Sequence, residues 1–198
     1  MNILIIAPHA DDEVLGVGGT ITKHVAAGDN VSVVIMSDRN GMEHQRKEAE
    51  AAKDILGYNK LFWCGLKDEY LDRCLKWVIE PLENIYADLA PDIVYTCHGG
   101  DYNIDHQAVF NASVVACRPL QKHSPKRFIS YEIPSSTCQG RVTPFKPNLY
   151  SSLTSEQLDL KTEAFNKYVD EIRELPNPRN EDGLINYAIY RGMESNTN

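Results

Sequence analysis

The chain has 198 residues, of which 42% are apolar and 24% charged, and it carries a net charge of −8. That composition supports a hydrophobic core and excludes a mainly disordered chain. The longest apolar runs, such as Ile3–Ala7, fall far short of the ~18 residues that a membrane helix needs, and the acidic balance argues against nucleic acid as a partner.

The length fits one domain over residues 1–198, with a polar, frayed tail at about 193–198. Five cysteines, an odd number with no C-x-x-C pair, suit reduced thiols in a cytoplasmic protein. Met1-Asn2 runs at once into a strand, so no leader is expected.

Ile3–Ala7 is an unbroken apolar run ending at Pro8, the pattern of a strand buried on both faces. Residues 14–27 carry Val14, Leu15, Val17, Ile21 and Val25 at helical spacing, and Gly28-Asp29 stops them. Val31–Met36 is a second strand. Arg46–Leu56 is helical, with Ala49, Ala52, Ile55 and Leu56 on one stripe and Gly57 at its end. Leu61–Cys64 is a short strand, Leu71–Leu89 a helix interrupted near Pro81, and Ile93–Cys97 a fourth strand. A helix over Gln107–Cys117, an extended run over Arg127–Ile133, a Pro-rich loop over 134–152 and a helix over Ser155–Arg173 follow.

Alternating strands and helices at this spacing predict an α/β fold with parallel strands and crossover helices. In such sheets ligands sit beyond the carboxyl ends of the strands. Two chemistry-bearing segments fall there: Pro8-His9-Ala10-Asp11-Asp12-Glu13 after the first strand, and Asp101-Tyr102-Asn103-Ile104-Asp105-His106 after the fourth. His9, Asp12 and His106 make a set of two imidazoles and one carboxylate, which leaves an open position on zinc and also suits Fe²⁺ or Mn²⁺. Asp11, next to the ligand Asp12, can stand near a water without binding the metal. Acidic residues also favour helix starts for dipole reasons alone, so the first segment by itself would be read as a cap.

Residues 8–13 resemble the (A/P)HPDDE signature of the LmbE-like, or PIG-L, metal-dependent deacetylases, and Asp105-His106 resembles their HxDH motif. Further likeness lies in Arg46 with Glu48-Ala49, in Asp68, in Tyr131-Glu132, in Pro178-Arg179 and in Arg191-Gly192, so that it spans about residues 3–192. The resemblance implies a Rossmann-like three-layer fold with a mostly parallel central sheet. It also implies one zinc held by His9, Asp12 and His106, with Asp11 as general base. The implied reaction is removal of the acetyl group from an N-acetylglucosamine-type sugar or conjugate.

Ala10 replaces the motif's proline, and Asn103 replaces the first histidine of HxDH. Asn103 keeps a hydrogen bond for an oxyanion but cannot act as a cationic acid. Asp105 is expected to orient His106 or Asn103 from behind. Arg46, Asp68 and Tyr131 are candidates for substrate contacts, with Tyr102 and Tyr150 as further rings for a sugar face. His98 is a weaker candidate for contact, and Trp63 and Trp77 read as packing residues. The chain stops soon after Arg191-Gly192, where many relatives continue, so part of the substrate wall is expected to be either missing or supplied by another subunit of a homo-oligomer. A degenerate, non-catalytic binder is one rival. The other is a dinucleotide domain built on Gly16-Val17-Gly18-Gly19, although these glycines begin too far past Ala7 for a phosphate turn.

Overall fold

The structure, a computed structural model, describes residues 1–39, 43–119 and 123–195. Strand β1 (Asn2–Ala7) leads through α1 (Asp12–Ala26) to β2 (Asn30–Asp38), α2 (Glu43–Leu56), β3 (Lys60–Lys67), α3 (Leu75–Leu89) and β4 (Ile93–Cys97). Helix α4 (Ile104–Ala116), β5 (Arg127–Tyr131), α5 (Ser155–Phe165) and α6 (Glu181–Ser195) complete the order. The five strands form one sheet in the order β3-β2-β1-β4-β5, and every pairing is parallel. The expected α/β, Rossmann-like class is therefore the observed one, with a wholly parallel sheet.

The apolar runs explain the layering. Residues 3–7 of β1 and 31–38 of β2 are buried throughout, because helices cover both faces of the central strands. Helix α5 packs on α1 and α2, while α3 packs on α4. The chain winds outward from β1 to β3 on one side, then crosses back to β4 and β5 on the other. The order reverses between β1 and β4, where Ile6 pairs with Thr96. A crevice opens above such a switch point, and the loops that follow β1 and β4 both rise into it.

The glycines of α1 serve packing. A Cβ on Gly16 would lie 2.2 Å from Tyr131 Cδ2, and one on Gly19 would lie 2.3 Å from Leu153 Cδ1. They sit inside the helix against neighbouring side chains, not at a turn after the strand, so the dinucleotide reading has no phosphate loop to stand on.

Several boundaries differ from expectation. Helix α4 starts at Ile104, earlier than the predicted Gln107, because Asn103 Oδ1 accepts the Asp105 amide at 2.9 Å and caps the helix. Helix α5 ends at Phe165 instead of Arg173, and its cap is Thr154, not Ser155. Thr154 forms a capping box with Gln157. Helix α3 starts at Leu75 and carries Pro81 within it. Helix α6 was not anticipated, and it keeps residues 193–195, expected to fray, in regular structure; residues 196–198 lie outside the described residues. No described helix is long and apolar enough to cross a membrane.

Candidate active site

The turn after β1 is built to aim side chains. Ser37 donates to the Pro8 carbonyl from its amide (3.1 Å) and its hydroxyl (2.9 Å), which fastens the turn to β2. Asp11 takes a positive φ of 118°, a conformation that an L-residue adopts only when its surroundings impose it. Buried Glu13 accepts the Asp11 amide at 3.1 Å and the Tyr168 hydroxyl on its other oxygen. Glu13 thus braces the turn from below. Its carboxyl is pushed up to about 7, chiefly by burial.

His9, Asp12 and His106 converge. His9 Nδ1 lies 3.1 Å from Asp12 Oδ2, His106 Nε2 lies 3.3 Å from the same oxygen, and the two ring nitrogens are 3.3 Å apart. Ligand atoms around a tetrahedral zinc with bonds of ~2.1 Å stand roughly 3.4 Å from one another, so the triangle has the size that such an ion requires. The buried Asp12 Oδ1 finds no hydrogen-bond partner among the described residues.

The far nitrogens choose the tautomers. His9 Nε2 faces Asp68 Oδ1 at 3.0 Å and Asp105 Oδ2 at 3.4 Å. His106 Nδ1 lies 3.1 Å from Asp101 Oδ2. A proton held at each of these positions leaves the lone pairs of His9 Nδ1 and His106 Nε2 pointing into the triangle, as a metal site demands. The same contacts account for a second trio of donor atoms, His9 Nε2 with Asp68 and Asp105, on the other side of the ring.

The electrostatics agree. Burial opposes charging of His106, yet Asp12 and Asp101 lift it to about 9. His9 is also raised, with Asp105, Asp12 and Asp68 overriding burial. Asp12 goes the other way: burial would raise it, but the two imidazoles hold it far below the carboxylate range. A pocket that drives both rings toward their cationic forms is short of positive charge. A divalent ion would supply that charge and leave the rings neutral. The donor set therefore fits a zinc-class ion held by His9, Asp12 and His106.

Asp11 stands beside this triangle at the floor of a cavity of about 550 Å³. Its carboxyl is raised well above the ordinary value by burial and by Asp12, against the opposing charge of Arg179. Asp68, Tyr102, Asn103, Arg39 and Arg179 also line this cavity.

The structure relocates several expected residues. Asp105 does not orient His106. Its carboxylate accepts the amides of Glu69 (2.7 Å) and Leu71 (3.0 Å) and leans toward His9, and Asp101 backs His106 instead. Arg46 is not at the cavity. It donates to Asp38 at 2.7 Å and lies over the Trp63 ring, between α2 and the strands β2 and β3. Tyr131 is a core residue whose hydroxyl donates to the Ile6 carbonyl at 2.8 Å, leaving nothing to offer a substrate. Tyr150 pairs with Glu194, and His98 faces the Thr143 carbonyl. Trp77 is exposed, not packed. Asn103 lines the cavity, but its amide oxygen is spent on the cap of α4, so only the NH₂ group remains for a ligand.

Sequence reasoning passed over Asp101, Arg39, Glu171 and the role of Arg179. Asp101 belonged to a segment already singled out, and its four-residue offset from the end of β4 was the available signal. Glu171 sits in a short 3-10 turn with no local motif around it.

A three-donor cradle that fits a divalent ion, with a carboxylate beside it at the switch point of a parallel sheet, is an arrangement suited to hydrolysis by an activated water. The family model described as PIG-L, GlcNAc-PI de-N-acetylase, matches residues 4–117, and the chain belongs to that family. The uncharacterized deacetylase YaiS of Escherichia coli K12 is 30% identical over 175 residues, which are 84% of this chain and 89% of that protein. Among solved structures, the N,N'-diacetylchitobiose deacetylase of Pyrococcus horikoshii in complex with its inhibitor MPG aligns with a TM-score of 0.77 at 20% identity. That alignment covers 98% of this chain and 79% of the other. The zinc-inhibited form of teicoplanin deacetylase Orf2 aligns with a TM-score of 0.81 at 19% identity, covering 98% and 94% of the two chains. At these identities the two structures speak for the fold.

Proposed function

We propose that the chain hydrolyses the acetamide of an N-acetylglucosamine-type amino sugar or conjugate, with one zinc ion held by His9, Asp12 and His106. The observation that carries this reading is the donor triangle, each imidazole backed by a carboxylate, with buried Asp11 next to it. When bound, such an ion lowers the pKa of a water and polarises the amide carbonyl.

The protein's own groups handle the protons. Asp11 accepts one proton from the attacking water as its oxygen bonds to the acyl carbon. The amide N–H₂ of Asn103 is the remaining donor for the oxyanion. Asp11 then passes its proton to the sugar nitrogen as the C–N bond breaks, which yields acetate and a free amine. Asp101 and Asp68 hold the two imidazoles in register throughout.

The cavity suits a small polyol. Its volume lies within the ~300–1,000 Å³ range of small-molecule sites. Carboxylates and guanidiniums both line it, which offers acceptors and donors to hydroxyl groups, and the exposed Tyr102 ring is there for a sugar face. A copy-to-copy contact that covers this mouth, and a cytoplasmic location, belong to the same proposal.

The test is acetate release from N-acetylglucosamine, N,N'-diacetylchitobiose and a glycosidic conjugate. Zinc-loaded and chelated protein are compared. The expected result is release that requires zinc and vanishes in Asp11→Ala while zinc stoichiometry stays at one. Undiminished release by Asp11→Ala, or by exhaustively chelated protein, would refute the reading.

A further inference from the structure

Beyond residue 117, where the family model ends, the chain reaches back to Asp11 through the side chain of Arg179. Its Nη1 donates to Asp11 Oδ2 at 3.0 Å and to Glu171 Oε2 at 2.7 Å, and its Nε donates to Ser135 Oγ at 2.9 Å. Glu171 is itself buried, and its other oxygen accepts from Arg39 Nη1 at 2.5 Å. Two non-glycine residues with positive φ, Asp11 (118°) and Ser135 (107°), are thus joined through one guanidinium. Such conformations persist only where surrounding structure holds them.

The segment that carries Arg179 is itself tied down. Asn177 Oδ1 accepts the Arg179 amide at 2.9 Å, and the Arg179 carbonyl accepts the Arg173 amide at 2.8 Å. Asn180 adds bonds to the carbonyls of Arg173 and Asn177. A surface arginine needs no such scaffold, because an exposed ion pair gains little from fixed geometry. Here the guanidinium is mostly buried, and its planar fork sets the direction of each bond.

We propose that Arg179 is a positioning residue for Asp11, held in place by Glu171 and Ser135, and that this clamp fixes the rotamer from which Asp11 receives and returns its proton. By engaging Oδ2, Arg179 stops the carboxylate from swinging toward the donor triangle, where it would compete as an extra ligand. A base misplaced by an ångström loses orders of magnitude in rate, so the clamp acts on turnover more than on binding. The proposal rests on the amidase reading above and deepens it.

The experiment uses the full-length zinc-loaded protein. Arg179→Ala should lower kcat by about 10²-fold with KM changed by less than about threefold, and zinc content should not change. Added guanidinium should restore part of the rate in Arg179→Ala. It should restore none in Asp11→Asn, and Arg179→Ala should cost little further in the Asp11→Asn background. The crystal structure of zinc-loaded Arg179→Ala should show the Asp11 carboxylate displaced with His9, Asp12 and His106 in place. If Arg179→Ala does not fold, Glu171→Gln and Arg179→Lys carry the same readouts, each with a smaller loss of kcat. An unchanged kcat, losses that add fully with Asp11→Asn, or an Asp11 side chain that keeps its position without Arg179 would each overturn the proposal. If the wild-type protein releases no acetate from any substrate, the amidase reading fails, and the position of Asp11 in the variant crystal still decides whether the clamp exists.

Discussion

Asp101 offers the sharpest test of how the centre is built. Its carboxylate is fully buried and accepts from Ser136 Oγ (2.7 Å), Thr137 Oγ1 (2.6 Å) and the Asn103 amide (2.9 Å). It also faces His106 Nδ1 at 3.1 Å. Asp101→Ala strips the two hydroxyls and the Asn103 amide of their shared acceptor and removes the carboxylate beside His106. Each hydrogen bond to a buried charge contributes about 1.5–3 kcal/mol, and partial rehydration of the vacated space recovers some of that, so a net loss of about 3 kcal/mol is expected. In a chain of this size that lowers Tm by roughly 6–12 °C. If His106 ligates zinc as proposed, loss of the carboxylate behind it should also weaken zinc binding by about 10–100-fold. Competition with a chromogenic chelator measures the affinity, and scanning calorimetry with and without zinc measures the stability. Asp105→Ala is the comparison, since its carboxylate serves the Glu69 and Leu71 amides and reaches His9 only at 3.4 Å. Its effect on zinc affinity should be the smaller of the two. Unchanged zinc affinity in Asp101→Ala alongside a lowered Tm would refute the claim that Asp101 holds His106, and would reduce it to a brace for the 135–137 turn.

Further outcomes follow from packing and charge. Gly16→Ala should destabilise the protein by about 1–3 kcal/mol, because the new Cβ meets the buried Tyr131 ring, whose hydroxyl is pinned to Ile6. Gly19→Ala meets only the flexible end of Leu153 and should cost less, and urea midpoints separate the two. Arg46→Ala should leave KM for any substrate within about twofold of wild type in steady-state kinetics, since Arg46 pairs with Asp38 away from the cavity. The Lys161 ammonium is sunk against the Leu15 carbonyl, and burial lowers it from 10.5 to about 8. Between these two values the unfolded chain binds more protons than the folded one, so stability rises with pH across that window. Urea titrations at pH 8 and 10.5 should show a steeper rise in wild type than in Lys161→Met. Zinc in excess of its Kd should raise Tm in wild type and leave a His106→Ala variant unmoved.

The sequence made the sheet legible because its central strands are buried on both faces and so appear as unbroken apolar runs. The same strands place their tails at one edge, which is why His9 and His106 could be paired across 97 positions. What stayed hidden was set by contacts that no local pattern records. Asp105 and Asp101 lie in one loop, and only the start of α4, fixed by the Asn103 cap, decides which of the two faces His106. Tyr131 carries a polar tip in a promising segment, yet the glycine opposite it draws the ring into the core. Arg46 was singled out through the likeness of its helix to the family's, whereas Arg39, seven residues earlier, stands at the carboxyl end of β2 and lines the cavity.

That contrast has a physical source. Residues at strand ends inherit their direction from the sheet, so the ligand triangle is fixed once β1 and β4 are neighbours. The proposed acid–base carboxylate gains no such guarantee. Asp11 sits in a turn with a positive φ, and its environment is completed by Glu13 from below and Arg179 from a segment 168 residues later. On the proposed reading, metal binding and proton transfer are therefore separable in this protein. Substitutions in the 171–179 segment should lower turnover with zinc retained, while substitutions at Asp101 should loosen zinc first. A loss of zinc in Glu171→Gln equal to that in Asp101→Ala, measured by elemental analysis after identical dialysis, would show that the two halves of the site form one unit and would contradict this division.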